Sequence, residues 1–366
     1  MNRFVKAHIK YKHFQRLHSK RIKNLRLCFI ERGGLGDCLL LFPFIVKMQQ
    51  QAPYPLSVDL YSKFGSLFSK VSCLNRSELI PNRFSDLFAH YDVVFFQQRF
   101  PKVLSANWPL IEKHFPKLAL FMATERKLQE DSLLYDNLHI YNEWTALRGC
   151  RRFEQMDPYH VFGIDSQWKY PTPNADTVLN KFNLKAKHYI TLSRATDSAY
   201  NDQHPKLWPL TYYNELIKLL KQEFPSLQLV QVGASAKYGV MTGIHQNLVG
   251  KTNLEEIATI LQQAVLHIDG EGGLVHLNHV VGGKSCVLFG PTSPSVFGYP
   301  GNINLCNAVC PSTCDWVTNR WIEQCMKGKT PAPCMLSLTP DFVMQKIKEE
   351  FNPSEQRAAT LSLQTY

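Results

Sequence analysis

Residues 265–289, VLHIDGEGGLVHLNHVVGGKSCVLF, contain an apolar run at Val265–Asp269, a glycine turn, a helical stretch and a second apolar run at Ser285–Phe289. Apolar runs that alternate with helical patterns at this spacing predict parallel strands joined by helices. The same alternation precedes this stretch, with expected strands at Tyr189–Ser193, Leu227–Val232 and Leu248–Val249 and helices at Thr211–Phe224 and Asn253–Ala264. The second half of the chain is therefore predicted to form a parallel sheet covered by helices.

The first half has the same character. An apolar strand pattern at Leu25–Ile30 leads into a glycine turn and a helical stretch at Cys38–Met48, which predicts strand, turn and helix. A polar, proline-broken stretch at 165–173 separates the halves. We expect a basic arm at 1–24, an α/β domain at 25–165, a linker at 166–180, a second α/β domain at 181–338 with a cysteine loop at 306–334, and a C-terminal helix and tail at 339–366.

The charge of the chain is unevenly distributed. Its formal net charge is +11 over 366 residues, and no acidic residue precedes Glu31. Such a basic arm can contact an anionic membrane surface or nucleic acid phosphates, or it can simply be solvated. The positive charge lies outside the expected core and no recognition helix appears, so nucleic acid is not an expected partner. No apolar run reaches the ~18 residues of a membrane span, and no secretory signal is visible. The expected location is cytoplasmic, with a peripheral contact at the inner face of the membrane.

Three glycines and a carboxylate lie in the first turn, Gly33-Gly34-Leu35-Gly36-Asp37. Glycines between a strand and a helix let backbone N–H groups approach a ligand, and the helix N-terminus favours an anion. Gly34, Gly36 and Asp37 are therefore candidate site residues. The glycine spacing is not that of the dinucleotide fingerprint, and the turn lacks the Lys-Ser/Thr of a P-loop. For Asp37 the alternative is a helix-capping carboxylate.

Two further groups of residues follow predicted strands in the second half. Ser193 and Arg194 end one strand, and Lys206 lies in the next loop, where basic side chains can neutralise a diphosphate or merely be solvated. Asp269-Gly270-Glu271 is followed by Gly272 and Gly273, and His276 lies in the first turn of the next helix. Glycines permit close approach of a sugar or phosphate, and a carboxylate beside them can bind hydroxyls. Taken alone, a histidine such as His276 is more often a packing residue with its hydrogen bonds satisfied than a ligand contact.

These groups, in this order, resemble the heptosyltransferase family of inverting glycosyltransferases. The most specific matches are 206–209 (KLWP), 250–255 (GKTNLE), 271–276 (EGGLVH) and 289–292 (FGPT). The resemblance implies an α/β fold with two facing Rossmann-like domains, the GT-B arrangement. It implies Asp37 as the general base, Ser193 and Lys206 at the donor phosphates and Thr252 against the nucleoside. It places the following residues around the ribose, diphosphate and sugar: Glu271, Gly272, Gly273, Leu274 and His276.

The implied reaction moves a sugar from a nucleotide diphosphate to a hydroxyl of lipopolysaccharide core or of a protein, with ADP-heptose as the default donor. The resemblance implies no catalytic cofactor and no divalent ion for donor binding. Glu271-Gly272-Gly273 departs from the commoner Asp-Thr-Gly or Asp-Ser-Gly, which leaves the donor open to another nucleotide sugar. The alternatives are a different GT-B-like nucleotide-sugar enzyme, such as an epimerase, and a non-catalytic nucleotide- or nucleic-acid-binding protein.

Four cysteines at Cys310, Cys314, Cys325 and Cys334 form the last group. Four thiols within so short a segment can hold structural zinc or iron, and the alternatives are free thiols and disulfides. The loop resembles the iron-binding cysteine loops of autotransporter heptosyltransferases. Aromatic and cationic residues on it are expected to face an acceptor or a partner subunit: Trp316, Arg320 and Trp321.

Overall fold

The computed structural model describes residues 24–83, 85–97, 101–194, 204–306, 309–310, 313–318 and 320–350. The basic arm and the C-terminal tail after residue 350 lie outside this part. The chain divides into two compact units, Met1–Trp168 and Lys169–Tyr366. The domain boundaries given above in finer detail remain predictions.

The first unit contains five strands and six α-helices in its described part. The strands are β1 (Leu25–Glu31), β2 (Leu56–Ser62), β3 (Arg76–Leu79), β4 (Val93–Gln97) and β5 (Pro101–Ala106). The helices are α1 (Leu35–Gln50), α2 (Ser85–Phe88), α3 (Trp108–His114), α4 (Pro116–Glu130), α5 (Ser132–Asp136) and α6 (Leu138–Leu147), and a 3-10 turn lies at Gly65–Phe68.

The first sheet has the strand order β3-β2-β1-β4-β5. Its first four strands are parallel, with Leu27 of β1 in register with Val58 and Val93, and β5 is antiparallel to β4. The central strand is apolar and almost fully buried, as expected for a strand covered on both faces. The strand order reverses between β1 and β4.

The second unit contains six strands and seven α-helices in its described part. The strands are β6 (Tyr189–Leu192), β7 (Gln228–Gln231), β8 (Gln246–Asn247), β9 (Leu266–Gly270), β10 (Ser285–Leu288) and β11 (Ile303–Leu305). The helices are α7 (Ala175–Lys181), α8 (Leu210–Glu223), α9 (Leu254–Gln263), α10 (Gly273–Val280), α11 (Pro294–Phe297), α12 (Pro333–Leu336) and α13 (Pro340–Glu350), and a 3-10 turn lies at Ala236–Tyr238. Helix α7 begins within the stretch 166–180 that was expected to link the domains.

The second sheet is wholly parallel, with the order β11-β10-β9-β6-β7-β8. This is the Rossmann order, and it reverses between β6 and β9. The core beneath the sheet combines residues of β6 and β9 with the inner face of α8 and with Trp208. The predicted α/β class with two Rossmann-like units is confirmed.

Two local predictions need correction. The sequence Thr252-Asn253-Leu254-Glu255 predicts a capping box, but the capping box of α9 uses Asn253 and Glu256, because Asn253 takes the N-cap position and its side chain accepts from the Glu256 N–H. Asn caps at least as well as Thr, so the pattern fits in either register and the helix begins one residue later. The short strand expected at Leu248–Val249 lies two residues earlier, at Gln246–Asn247.

Two chain-wide features concern the described residues. All ten cysteines lie among them, and none of the ten is in a disulfide. Within the same ranges, no helix combines the length and the apolar character needed to cross a lipid bilayer.

Candidate active site

The glycine turn lies at the reversal point of the first sheet. Glu31 and Gln97 end neighbouring parallel strands and are in register. Helix α1 begins at Leu35, directly after the turn, with Gly34 at its N-cap and Gly36 buried in its first turn. Ligands of doubly wound sheets bind outside the carboxyl ends of the strands at such a point. The fold therefore places Asp37, in the first turn of α1, where a ligand site is expected.

Both carboxylate oxygens of Asp37 have protein partners. Oδ2 accepts the N–H of Gly34 at 2.7 Å, which caps the helix, and Oδ1 accepts Nη2 of Arg152 at 2.5 Å. The Asp37 side chain is 28% exposed and that of Arg152 is 7% exposed. A Cβ on Gly33 would lie 2.2 Å from Asp37 Oδ2, so only glycine fits beside this carboxylate. The helix-capping contact that was the alternative role for Asp37 is therefore present. It leaves the Asp37 side chain partly exposed.

Glu31 is a second carboxyl at this point, which the sequence analysis did not assign. It is fully buried, and Oε1 accepts the N–H of Gly33 at 2.5 Å. Burial and the nearby charge of Asp37 raise the pKa of Glu31 well above its ordinary value, outweighing Gly33 and Arg152. The position of Glu31 at the end of an apolar strand was the available signal, because a charged residue rarely ends a buried strand without a partner.

The reversal point of the second sheet brings the predicted donor residues together. Ser193 follows β6, is fully buried, and donates its N–H to the carbonyl of Ile268 on β9 at 3.0 Å. Nε of Arg194 donates to the carbonyl of Trp208 at 2.8 Å, which ties this strand end to the loop before α8. The segment 195–203 lies outside the described residues.

Lys206 and Glu271 form an ion pair in this second cluster. Their side chains are 17% and 7% exposed, so the pair is largely shielded from water. Nε2 of His276 lies 3.8 Å from the other oxygen of Glu271, and Nδ1 of His276 hydrogen bonds with the hydroxyl of Tyr299 at 2.6 Å. Tyr299 was not predicted. Its hydroxyl holds the His276 ring at the nitrogen that does not face Glu271. No motif around Tyr299 in the sequence indicates this contact.

The charges of this cluster are mutually stabilised. Burial alone would raise the pKa of Glu271, but Lys206 and His276 outweigh burial and lower that pKa below its ordinary value. Glu271 is therefore a carboxylate, and the ammonium of Lys206 is held beside it. An incoming diphosphate would meet a cation that is already desolvated and oriented.

Helix α10 supplies the remaining predicted contacts. Gly272 is its N-cap in an extended conformation, Gly273 and Leu274 begin its first turn, and His276 lies on the same turn. The first N–H groups of a helix have no intrahelical acceptor, and the N-terminus attracts anions. Asp269 is buried at the end of β9, with Oδ2 at 3.5 Å from Nε2 of His267, so it belongs to the sheet interior.

Thr252 lies in the loop directly before the N-cap of α9 and is half-buried. Its predicted position against the nucleoside stays a prediction.

The cysteine loop, residues 306–334, reaches this cluster. Trp321 is 4% exposed, and its ring centroid lies 5.4 Å from Nζ of Lys206. The ring of Trp321 packs inward, and its position towards an acceptor or a partner subunit stays a prediction. Arg320 is solvent-exposed and pairs with Glu323, as a surface residue does.

The four cysteines of the loop are near one another without forming a closed site. Burial, followed by the charges of the other thiols, raises the pKa of Cys314 to about 11 and that of Cys334 to about 12. Cys314 thus lies within electrostatic range of Cys310 and Cys325, and Cys334 lies within range of all three other thiols. In the part of the chain that the structure describes, no three His, Cys, Asp or Glu side chains are arranged to hold a metal ion.

Comparison with known proteins identifies the family. The profile of Glycosyltransferase family 9 (heptosyltransferase) matches residues 138–323, just over half of the chain, and this range contains most of the second cluster. The chain belongs to glycosyltransferase family 9. This family 9 protein is thus a glycosyltransferase, as the motifs predicted. A search of curated proteins finds no match.

Solved structures show the same fold. E. coli ADP-heptose lipopolysaccharide heptosyltransferase II is 14% identical, with a TM-score of 0.57 over 91% of this family 9 chain and 100% of its own. TibC from enterotoxigenic E. coli, described as an iron-containing dodecameric glycosyltransferase, is 15% identical, with a TM-score of 0.59 over 90% of this chain and 79% of its own. A second TibC structure, in complex with ADP-D-β-D-heptose, gives 13% identity and a TM-score of 0.58 over 93% and 80%.

Proposed function

We propose that this family 9 glycosyltransferase moves a sugar, by default heptose from ADP-heptose, to a hydroxyl of lipopolysaccharide core or of a protein, with inversion at the anomeric carbon. The observation that carries the proposal is the buried cluster of Lys206, Glu271 and His276 at the reversal point of a Rossmann sheet. A desolvated cation beside a helix N-terminus is the arrangement that a diphosphate requires. The family and the ADP-heptose complex of TibC support this donor class.

In the proposed reaction Asp37 accepts the proton of the acceptor hydroxyl. The acceptor oxygen forms a bond to the anomeric carbon while the bond from that carbon to the diphosphate oxygen breaks on the opposite face. The electron pair leaves with the nucleoside diphosphate, and one displacement inverts the anomeric centre. Lys206 and the first N–H groups of α10 stabilise the charge that grows on the leaving group. The ion pair of Asp37 with Arg152 keeps the carboxylate oriented before the acceptor arrives.

Glu271 gives the donor site a distinctive feature. Its carboxylate reaches Lys206 in the unliganded protein, so a bound donor must share or displace this contact. Once Lys206 turns to the diphosphate, Glu271 can accept hydrogen bonds from sugar or ribose hydroxyls, oriented by His276. The extra methylene relative to aspartate carries the carboxylate farther from the backbone, so another nucleotide sugar is the alternative donor.

We further propose that the cysteine loop holds one structural iron or zinc ion through Cys310, Cys314, Cys325 and Cys334. Thiolates suit these metals, and the four thiols influence one another electrostatically. The ion would stabilise the fold of the loop and take no part in the reaction. The iron of TibC supports this reading.

The basic arm completes the proposal. Nine basic residues precede the first acid of the chain, and an anionic membrane attracts such a segment by about 1 kcal/mol per residue near the surface. A peripheral contact with the inner face of the membrane would bring the enzyme to a lipid-linked acceptor.

A screen of nucleotide sugars tests the function. Because a ligand that binds only the folded state raises stability by mass action, the true donor should raise Tm by several degrees at a hundredfold excess over its Kd. ADP-heptose, UDP-N-acetylglucosamine and GDP-mannose would be compared, and release of the nucleoside diphosphate would be measured with acceptor present. A protein that responds to no nucleotide sugar, or converts one sugar into another without transfer, would contradict the proposal.

A further inference from the structure

Trp321 lies against the proposed donor cation although it belongs to a distant loop. The ring centroid is 5.4 Å from Nζ of Lys206 and 5.8 Å from the ring of His204, which it meets edge to face. Trp316, in the same loop, packs against it at 5.2 Å. The indole is 4% exposed, so it is a wall of the Lys206 environment and not a surface residue.

The loop is held in this place by the FGPT segment after β10. The carbonyl of Pro291 accepts the N–H groups of both Cys314 and Asp315, at 2.9 and 3.1 Å. Gly290 packs against the far end of the loop, where a Cβ would lie 3.4 Å from Sγ of Cys334. Two parts of the cysteine loop, Cys314–Asp315 and Cys334, therefore lie against the segment that follows β10.

The contact between the Trp321 ring and the Lys206 side chain is electrostatically favourable. The face of an indole ring attracts an ammonium group, most strongly where water is excluded. Lys206 also lies 5.9 Å from the ring of Phe297, so its side chain has aromatic neighbours on two elements. These aromatic neighbours restrict the rotamers of Lys206. A lysine without them would lose more conformational freedom when it binds a phosphate.

We propose that Trp321 is the positioning residue for Lys206, so that the cysteine loop forms one wall of the donor site and sets affinity for the diphosphate. The inference rests on the proposed function in one respect, that Lys206 contacts the donor diphosphate. It assigns the loop a part in donor recognition that does not depend on whether the cysteines hold a metal.

Two substitutions distinguish the effect of the aromatic face of Trp321 from the effect of its apolar volume. Trp321→Leu keeps an apolar side chain without an aromatic face, and Trp321→Phe keeps a face. The Phe variant loses no protein hydrogen bond, because the indole Nε1 has no partner among the described residues. Val317→Ala, on an exposed residue of the same loop, is the matched control. Calorimetry would give Kd for ADP and for UDP. For whichever diphosphate binds more tightly, Kd would also be measured for the corresponding nucleoside monophosphate.

We expect Trp321→Leu to weaken binding of the diphosphate about tenfold, and binding of the monophosphate less than twofold, if Lys206 contacts the second phosphate of the donor, as this inference takes it to do. Trp321→Phe should stay within about threefold of wild type, and Val317→Ala should match it. In a double-mutant cycle, Trp321→Leu should cost nothing more once Lys206→Ala is present. Tm of each variant would be measured alongside.

The outcomes are distinguishable. If Lys206→Ala weakens the diphosphate while Trp321→Leu does not, or if the two losses simply add, the inference is wrong and the donor site stands. Equal weakening of the diphosphate and the monophosphate by Trp321→Leu would also overturn it, since that indicates a general structural role. If Lys206→Ala binds the diphosphate like wild type, or wild type binds neither diphosphate, the proposed function fails and the inference with it.

Discussion

Asp37 shows how one carboxylate can carry a structural and a chemical role. Its Oδ2 caps α1 through Gly34, and its Oδ1 pairs with Arg152. These contacts hold the group in one orientation at the reversal point of the sheet, which a general base needs as much as a helix does. The two interpretations drawn from the sequence are therefore compatible, and only kinetics can separate them.

Asp37→Asn should lower the transfer rate by about 10²–10⁴ while leaving donor Kd almost unchanged, because the base acts on the acceptor proton and not on the nucleotide. The amide keeps an oxygen for the cap but cannot take a proton. Single-turnover transfer and calorimetric donor binding would be measured on the same sample. Asp131→Asn, at the exposed N-cap of α5, is the matched control for a cap alone. A rate near wild type would leave Asp37 with only its capping role.

Several side-chain contacts and charge states at the site could not be predicted from sequence patterns. Glu31 ends an apolar strand, and the sequence gives no sign that burial raises the pKa of this carboxyl. Lys206 and Glu271 were predicted as separate contacts to phosphate and hydroxyls, yet they pair directly. Tyr299 and Trp321 orient His276 and Lys206 without belonging to any recognisable motif.

At the scale of elements, the turn between β1 and α1 depends on close packing. The site that a Cβ on Gly33 would occupy is filled by the Asp37 carboxylate. Gly33→Ala should therefore displace Asp37, lower the free energy of unfolding by about 1–3 kcal/mol and reduce transfer. Denaturant unfolding checks the stability. In an Asp37→Ala background the same Gly33→Ala change should cost much less, and an equal cost in both backgrounds would place the clash elsewhere.

The cysteine loop is the element with the most direct chemical test. Protein made in metal-replete medium should contain about one iron or zinc ion per chain, because binding at such a site contributes directly to folding. Cys314→Ser and Cys325→Ser should each lose the metal and make the loop more susceptible to proteolysis. Cys306→Ser, on an exposed thiol outside the proposed set, should retain it. Elemental analysis that finds no metal in the wild-type protein would refute the site.

At the scale of the whole molecule, buried histidines link stability to pH. Burial, then the charge of Lys206, lowers the pKa of His204 to about 3, and burial, then His276 and Lys169, lowers that of His279 to about 4. In the unfolded chain both titrate near pH 6.5. Below that pH these two side chains bind more protons in the unfolded state than in the folded state, so their contribution to stability is lost as pH falls from about 6.5 towards 4.

Between pH 7.5 and pH 5, each of these histidines should lower the free energy of unfolding by on the order of 1–3 kcal/mol, while the buried carboxyls Glu31 and Glu125, whose pKa values burial raises, act in the opposite direction. Urea unfolding at both pH values, compared between wild type and a histidine variant, measures the part of the pH dependence that the histidine contributes. His279→Phe keeps the ring that stacks on Tyr299 at 3.7 Å and should flatten this dependence. The same change at exposed His90 should leave the pH dependence as it is. An unchanged slope in His279→Phe would mean that this histidine is not buried neutral in solution.

The sequence by itself determined the α/β class, the two Rossmann-like units and the family, because these follow from local periodicity and from motifs whose residues are neighbours in the chain. It also located Asp37, Lys206, Glu271 and His276 at strand ends, where parallel topology brings ligand residues together. Only the tertiary structure decided the contacts between them: Arg152 on Asp37, Glu271 on Lys206, Tyr299 on His276 and Trp321 on Lys206. Each joins segments far apart in sequence, so its distance depends on how sheets and loops pack, and its charge state depends on burial that no local pattern reports.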